Sequence, residues 1–548
     1  MAFWARNETA ALTTLQPYSG SADLQRQRRG MAITAAVFIA FCIPFGFFFA
    51  VYVPYLFVLF TVPIAILAGF AIWALPDMNK APTRTLVTFY SAFFFALVLW
   101  PNYLAIALPG LPWITPLRMA ALPMVLLLLI GVSTNAEFRA TLAAPLNAAP
   151  LVWRALAIFV VIQFLSMGFS TEPQQSIQRF IVTQTNWTAI FFVSVLVFLK
   201  EGRAKRWSLL IWIMAIFLGV IGLIEFTKER VLWAAHIPSF LKIEDPTVQR
   251  ILAGSTRMET GQYRTQSTFS TSLGLSEFMA LSLPFALHYI IAAKHNLVRL
   301  AAIASVPFFL LVILDTDARL GILGFFIGTM GYLLLWAVLV WRRHRDHLIA
   351  PAIVLAYPVL FVVIVIISFT VGRVRNKVWG TGQYAASNEG RMDQVHEGMP
   401  KIMAHPFGHG VSMGSQALGH TNLAGVETID SYMLLIGLEY GLIGFVMYFG
   451  MILLCIYYAI RYALKGYHEH PDYGLLIPAA VSLASFFAIK VVFANDDNHP
   501  LMYMVMGMIV ALVYRIQNDK NVQEPEAAAS QPGTPRRSRT PAAHPSNP

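Results

Sequence analysis

Charged residues are scarce in this chain of 548 residues. Only 12% are Asp, Glu, Lys or Arg, whereas 57% are hydrophobic. Water-soluble domains carry about 25% charged residues, so this composition excludes an ordinary soluble globular protein. It predicts an all-α, polytopic integral membrane protein instead.

Other signals are missing as well. The two cysteines, Cys42 and Cys455, lie in apolar stretches, where a thiol behaves as a small hydrophobic side chain and indicates no disulfide framework. Before Gly30 the sequence lacks a short apolar core followed by a cleavage site, so we expect the first span to be an uncleaved anchor. The pattern GxxxxGK[ST] is also absent, which argues against an ATP-driven pump.

Long apolar runs are what the chain has in abundance. A membrane-spanning helix needs about 20 mostly apolar residues. On this criterion the sequence predicts about fourteen spans, near residues 31–52, 55–76, 85–108, 114–133, 151–169, 180–199, 207–226, 271–292, 300–314, 319–341, 349–371, 431–460, 475–494 and 500–515.

The formal net charge of +11 comes from basic residues in alternate loops. If the first cluster is cytoplasmic, every strong cluster falls on the cytoplasmic side, as the positive-inside rule requires. The clusters are Arg26, Arg28 and Arg29; Lys80 and Arg84; Arg139; Lys200, Arg203, Lys205 and Arg206; Lys294 and Arg299; Arg342, Arg343 and Arg345; and Arg461 and Lys465. An even number of spans then puts both termini in the cytoplasm. This assignment leaves no basic face for nucleic acid.

Two segments on the outer side are too long to be simple turns. The predicted organisation is a cytoplasmic segment 1–30, a transmembrane bundle 31–226, an outer loop 227–270, helices 271–371, a large outer loop 372–430, helices 431–515 and a disordered cytoplasmic tail 516–548. Loops longer than about 15 residues are usually functional or disordered. In the two loops we expect short amphipathic helices at the membrane interface, with Trp233, Phe240, Met399 and Met403 facing the bilayer.

Three arginines on the outer side are candidates for an anion-binding site. Arg319 begins a span, Arg264 precedes another, and Arg391 lies in the large outer loop. A guanidinium binds phosphate oxygens bidentately and stays charged, so the three together suit a diphosphate. The alternatives are interfacial snorkelling for Arg319 and a solvated loop charge for Arg391. Glu277 lies within a span, so we expect it to face a cavity or a partner cation.

Metal binding is a weaker interpretation of the remaining polar residues. The acidic runs "DTD" at 315–317 and "NDDNH" at 495–499 are typical of solvated turns between spans. His405, His409 and His420 lack the fixed helical spacing of a zinc site. We therefore predict neither a metal site nor another cofactor.

Three stretches occur in a characteristic order on the outer side: "DARLGILGF", "GRMDQVHEGMPKIMAHPFGHG" and "DSYMLLIGLEYGLIGF". Together they cover roughly 319–450, and they resemble the O-antigen ligase and polymerase superfamily of bacterial membrane glycosyltransferases. The stretch "RTQSTFSTSLGLSEF" at 264–278 is similar to an upstream element of that family. By this resemblance Arg319 opens a family helix and Arg391 is the loop arginine. His405 belongs to the His-Pro-Gly-x-Gly turn, and Glu439 to the closing helix pattern.

One position departs from the family pattern. Ligases have a His-Asn pair where this chain has Asp430 and Ser431. The resemblance implies that this residue activates the acceptor hydroxyl, so either Asp430 takes the proton or His420 reaches in from upstream. An aspartate here also suits the N-cap of the next helix. Asp430 followed by Ser431 is more similar to the polysaccharide polymerases of the family than to the ligases. Substrate binding is assigned to Arg264, His405, Glu277, Glu439 and Tyr432.

The resemblance implies transfer of a glycan from an undecaprenyl-diphosphate carrier to a sugar hydroxyl, at the periplasmic face of the bacterial inner membrane. The expected partners are that donor, a growing polysaccharide, membrane lipid and, as a candidate, a chain-length regulator. Two alternatives stay open: an O-antigen ligase that transfers glycan to lipid A core, and a transporter or flippase for the lipid-linked repeat unit. Whether the product is O-antigen, capsule or exopolysaccharide is open as well.

Overall fold

The structure, a computed structural model, describes residues 67–72, 75–76, 80–107, 113–241, 243–257, 261–346, 348–379, 385–421, 427–466 and 471–519. The chain divides into two units. The first comprises Met1–Ala71 and Leu108–Pro112, of which residues 67–71 are described and helical. The second comprises Ile72–Ala107 and Trp113–Pro548.

Helices dominate the second unit. An unpaired backbone group is costly in hydrocarbon, and a helix pairs its own N–H and C=O groups, so apolar runs of this length fold as helices. In chain order the helices are α1 (Thr83–Leu99), α2 (Pro116–Thr134), α3 (Ala136–Ala148), α4 (Pro150–Ser166), α5 (Pro173–Phe198), α6 (Arg203–Lys228), α7 (Pro246–Leu252), α8 (Ser272–Ala292), α9 (Asn296–Asp315), α10 (Arg319–Arg343), α11 (Ile349–Thr370), α12 (Gly372–Trp379), α13 (Ala385–Ala404), α14 (Gly414–Leu418), α15 (Tyr432–Gly466), α16 (Leu476–Ile489) and α17 (His499–Asn518).

The predicted class is confirmed, because ten helices in the described part of the chain are long and apolar enough to cross a membrane. Each predicted span from 85–108 onward corresponds to a helix. The first of these ends earlier than predicted, at Leu99, because the following Trp100 is held extended ahead of Pro101. The predicted span 31–52 lies outside the described residues and 55–76 is described only in part, so the number fourteen stays a prediction.

Strands are confined to one short hairpin in the described residues, β1 (Ser255–Thr256) paired antiparallel with β2 (Tyr263–Arg264). The central helices of the bundle are α8 and α17, in which 83% and 89% of the most apolar segment is buried. By contrast, only 6% of the corresponding segment of α11 is buried. The apolar surface of α11 is therefore the surface left for lipid.

The predicted interfacial residues have different surroundings. On α13 the side chains of Met399 and Met403 are exposed, which leaves both available to the bilayer, while the amphipathic character of this helix stays a prediction. Phe240 is exposed as well. Trp233, however, packs in a small apolar cluster and its indole Nε1 donates to Tyr103 Oη over 3.2 Å. Trp233 is half-buried, and its facing the bilayer stays a prediction.

Helix α15 is broken near its start. Gly441 has φ of 68° and ψ of −172°, which is not helical, so the regular hydrogen bonding of the helix stops there. The carbonyl of Leu438 accepts a hydrogen bond from His409 N–H over 2.8 Å, and the carbonyl of Glu439 accepts one from Gly410 N–H over 3.2 Å. The turn 405–410 therefore pairs the carbonyls that the break sets free.

Close packing at this junction depends on two glycines. A Cβ atom on Gly441 would lie 1.8 Å from Pro406 O, and one on Gly408 would lie 2.2 Å from Glu439 O. Both glycines also have positive φ, which an L side chain rarely adopts. Gly408 of the His-Pro-Gly-x-Gly turn and Gly441 of the closing helix pattern thus permit the same close contact between the turn and the broken helix.

We expect Gly441→Ala to destabilise the protein severely, by about 3 kcal/mol or more, because it adds both backbone strain and a clash with Pro406 O. Gly450→Ala in the same helix is the matched control, since a Cβ there meets no atom within 4 Å. The measurement is the fraction of monodisperse protein that survives heating in detergent. Equal survival of the two variants would contradict this account of the break.

Candidate functional site

One face of α13 meets the segment that leads into α15. Arg391 Nε lies 3.5 Å from Asp430 Oδ2, and Asp430 N–H donates to Gln394 Oε1 over 2.9 Å. The Arg391 side chain is 29% exposed and that of Asp430 is 46% exposed, so a substrate can reach both. The structure thus brings together the two predicted residues that are suited to anion binding and proton transfer.

Capping of α15 does not involve Asp430. The helix begins at Tyr432, and the hydroxyl of Ser431 accepts a hydrogen bond from Leu434 N–H over 3.4 Å. The residue before the helix therefore acts as its N-cap, in the usual Ser-type geometry. The interpretation of Asp430 as the N-cap is wrong, and its carboxylate is directed to Arg391 instead.

His420 is held by the same helix through a different carboxylate. Its Nδ1 lies 3.4 Å from Oε2 of Glu397, which lies further along α13 than Arg391. A neighbouring carboxylate orients an imidazole ring and fixes which nitrogen carries the proton. His405 lies exposed in the 405–410 turn, with its ring centroid 4.5 Å from that of His409.

Arg264 and Arg319 belong to a second group, around the turn between α9 and α10. Arg264, at the end of β2, donates from Nε to Thr316 O over 3.2 Å. Arg319 begins α10 directly after this turn. A further arginine, Arg257, forms a nearly buried ion pair with Asp317 at 2.6 Å. The structure therefore gathers Arg264 and Arg319 at one turn, whereas Arg391 belongs to the α13 group.

A buried ion pair lies in the core behind these groups. Lys490 Nζ is 2.8 Å from Glu277 Oε1, and neither side chain has exposed surface. Asn498 Nδ2 donates to the other oxygen of Glu277 over 2.9 Å. The prediction that Glu277 faces a partner cation is confirmed, and the cation is Lys490.

The ion pair of Lys490 and Glu277 connects the elements around Asp430 with those around Arg319. On one side, Tyr432 N–H donates to Lys490 O over 3.1 Å, and the Lys490 ammonium lies 5.5 Å from the Tyr432 ring centroid. On the other side, Ser276 beside Glu277 packs so tightly on Gly321 that a Cβ there would lie 1.7 Å from Ser276 Oγ. The starts of α8, α10 and α15 are thereby fixed relative to one another.

Glu439 is enclosed by protein groups. Its side chain is 7% exposed and hydrogen bonds to the backbone of Ser412 and Gly414. Arg179 of α5 is close enough to attract its charge, and Arg179 itself forms an ion pair with Asp496. Glu439 therefore contributes first to holding the loop after the 405–410 turn against α15.

The sequence analysis missed three charged residues of this end of the bundle: Lys490, Arg179 and Arg257. The rule that identified Glu277, a charge inside an apolar run, identifies Lys490 equally, since Lys490 falls in the predicted span 475–494. Arg179 directly precedes the predicted span 180–199, so it looked like an ordinary flanking charge. Arg257 has no local signal, because only the fold brings it to Asp317.

Asp497 lies in the turn between α16 and α17. Burial raises the pKa of its carboxyl to about 6, and the neighbouring charge of Asp496 acts in the same direction. Hydrogen bonds from Ser270 Oγ at 2.8 Å and Asn495 Nδ2 at 3.2 Å oppose the shift, because they stabilise the carboxylate.

The buried pair yields a double-mutant prediction. We expect Lys490→Met to lower stability by about 3 kcal/mol, because Glu277 is left buried without a counter-charge. Adding Glu277→Gln removes that charge and keeps a group that Asn498 can bond, so the double variant should recover part of the loss. Thermal unfolding in detergent measures both effects. Losses that simply add would show that the two side chains do not act as a pair.

Asp497 yields a prediction about pH. Since its pKa in the folded protein is raised to about 6, the ionised carboxyl is a cost to the folded state at pH 7.5, and stability rises as the pH falls through 6. Asp497→Asn should therefore be more stable than the wild type at pH 7.5, with the difference shrinking at pH 5. The exposed Asp393, changed to Asn, is the control for loss of one carboxylate. A difference that grows on acidification would refute the assignment.

We compared the chain with known protein families. Residues 279–449 match the family model for O-antigen ligase, and this segment includes Arg319, Arg391, His420 and Asp430. A search of curated proteins gives no significant match. This segment of the polytopic membrane protein is therefore similar to the O-antigen ligase family.

Proposed function

We propose that the protein is a membrane glycosyltransferase that polymerises glycan repeat units carried on undecaprenyl diphosphate, at the periplasmic face of the inner membrane. The family match supports an O-antigen ligase or polymerase type of function in general. The observation that carries the finer proposal is the contact of Arg391 with Asp430 where the chain enters α15. Both side chains are reachable, and they lie in the segment that matches the family.

The proposed reaction is one displacement. The oxygen of an acceptor sugar hydroxyl attacks the anomeric carbon of the donor, and its proton passes to Asp430. The bond from the anomeric carbon to the diphosphate oxygen breaks, and its electron pair leaves with the diphosphate. A single displacement inverts the anomeric carbon.

Arginine is suited to the leaving group. Arg391, Arg264 and Arg319 would bind the diphosphate and stabilise the charge that develops on it as the bond breaks. Arg264 and Arg319 lie at the turn between α9 and α10, whereas Arg391 lies on α13, so we propose that the substrate lies between them. The contacts of Lys490 with Glu277 and Tyr432 support this, because they join α8, which packs on α10 at Gly321, to the start of α15 next to Asp430.

His420 is the other candidate for the base. The Glu397 carboxylate orients the His420 ring, as a carboxylate does for a general base. By contrast, one carboxylate oxygen of Asp430 already contacts Arg391. The two candidates face neighbouring positions of α13, so substitution has to decide between them. The resemblance of Asp430 and Ser431 to the polymerases favours polymerisation over transfer to lipid A core. A flippase would not require a base beside an arginine.

The test is the glycan profile of a deletion strain complemented with variants. For a polymerase, the deletion leaves single repeat units on the acceptor; for a ligase, it leaves none. We expect Asp430→Asn to reduce long-chain product by about 100-fold or more, because a general base is lost. Arg391→Ala should reduce it by about 100-fold, because the charge on the leaving diphosphate is no longer stabilised. Asp393→Asn on the exposed side of α13 is the matched control, and immunoblotting confirms equal protein levels.

The remaining variants assign the base. If Asp430→Asn polymerises normally and His420→Gln does not, the base is His420. If Arg391→Ala, Asp430→Asn and His420→Gln all give normal chain lengths, the proposed site is wrong. Lipid-linked repeat units that stay unflipped in the deletion strain would favour the transporter instead.

A further inference from the structure

A pocket of about 930 Å³ lies at the opposite end of the bundle from the candidate site. It is formed where α1, α3 and α6 begin and α5 ends. Its described lining includes four cations and one carboxylate: Lys80, Arg84, Lys200, Arg203 and Glu137. This volume is at the upper end of the range of about 300–1,000 Å³ that is typical of small-molecule sites.

The cations are arranged to receive an anion. Arg203 is anchored within the protein, since its Nη1 donates to Val197 O over 3.2 Å. Lys80, Arg84 and Lys200 are exposed and belong to two separate segments of the chain. Among the described residues of the lining, Glu137 is the one carboxylate beside four cations, so this part of the lining carries an excess of positive charge that an anion would offset. Phosphate oxygens are the acceptors that Arg and Lys bind most strongly.

The rest of the described lining combines apolar side chains with the polar Thr83, Thr88, Asn135 and Thr141. Leu86, Val87, Phe138, Leu196 and Val197 line the pocket beside the cations, so polar and apolar walls face the same space. An inorganic anion would contact the cations and leave the apolar wall in contact with water. A phospholipid satisfies both walls, because its phosphate is joined to acyl chains.

We propose that this pocket binds an anionic phospholipid, with the phosphate head group on Arg84, Lys200 and Arg203 and the beginning of an acyl chain along Val87 and Leu196. The site is independent of the glycosyl transfer proposed above, since it shares no residue with it. Basic residues between helix ends at the cytoplasmic surface attract anionic head groups in the same way. The bound lipid would join the start of α1 to the start of α6.

The experiment measures lipid binding to the purified, delipidated full-length protein by native mass spectrometry. The probes are phosphatidylglycerol, phosphatidylcholine and water-soluble glycerol phosphate. The test variant combines Arg84→Gln with Lys200→Gln. Its matched control combines Arg342→Gln with Arg343→Gln, two exposed basic residues in the last turn of α10 that lie outside the pocket lining.

We expect phosphatidylglycerol to bind more tightly than phosphatidylcholine, and the pocket variant to lose about tenfold or more in affinity while the control keeps wild-type binding. The elution profile and unfolding temperature establish that the pocket variant is folded. Equal binding of the two lipids, or equal losses in both variants, would overturn the proposal. Glycerol phosphate binding as tightly as phosphatidylglycerol would also overturn it, because the ligand would then be a soluble anion. Since turnover is not measured, failure here leaves the proposed transfer reaction standing.

Discussion

A helix that is broken within a membrane protein must find new partners for the backbone groups that the break exposes. In α15 the break is at Gly441, and the N–H groups of His409 and Gly410 bond to the carbonyls of Leu438 and Glu439. This pairing ties the loop that follows α13 to the helix that follows the loop. The position of Arg391 beside Asp430 depends on it, because α13 and the entrance to α15 are then fixed at both ends of the intervening segment.

Buried charges provide the second constraint. Lys490 and Glu277 are both fully buried, and each is tolerated only because the other is present. Their contacts reach Tyr432 at the start of α15, and Ser276 next to Glu277 packs against Gly321 in α10. A charged pair in the core therefore determines how the helices that carry the candidate residues are set against each other. Glu439, which the sequence analysis assigned to substrate binding, is in part structural, because it holds the loop after the 405–410 turn against α15.

The two ends of the bundle use arginine differently. At the candidate site, arginines are paired with carboxylates from distant segments of the chain, as in Arg391 with Asp430 and Arg257 with Asp317. At the opposite end, the described lining of the pocket has four cations and one carboxylate. The first arrangement holds side chains in a fixed geometry, whereas the second leaves positive charge available. This difference is the reason for proposing a reaction at one end and a bound anionic lipid at the other.

The sequence by itself determined the class of the protein and the limits of most helices, because a run of about 20 apolar residues has one stable structure in a bilayer. It also identified Arg391, Asp430, His420 and Glu277 as residues of interest, from their chemistry and from a resemblance. It gave a wrong interpretation of Asp430 as a cap, since the hydroxyl of Ser431 is the group that caps the helix. Only the tertiary structure decided which charges pair, because Lys490 with Glu277 and Arg179 with Asp496 join segments far apart in the chain, and the energy of an ion pair depends on distance in space.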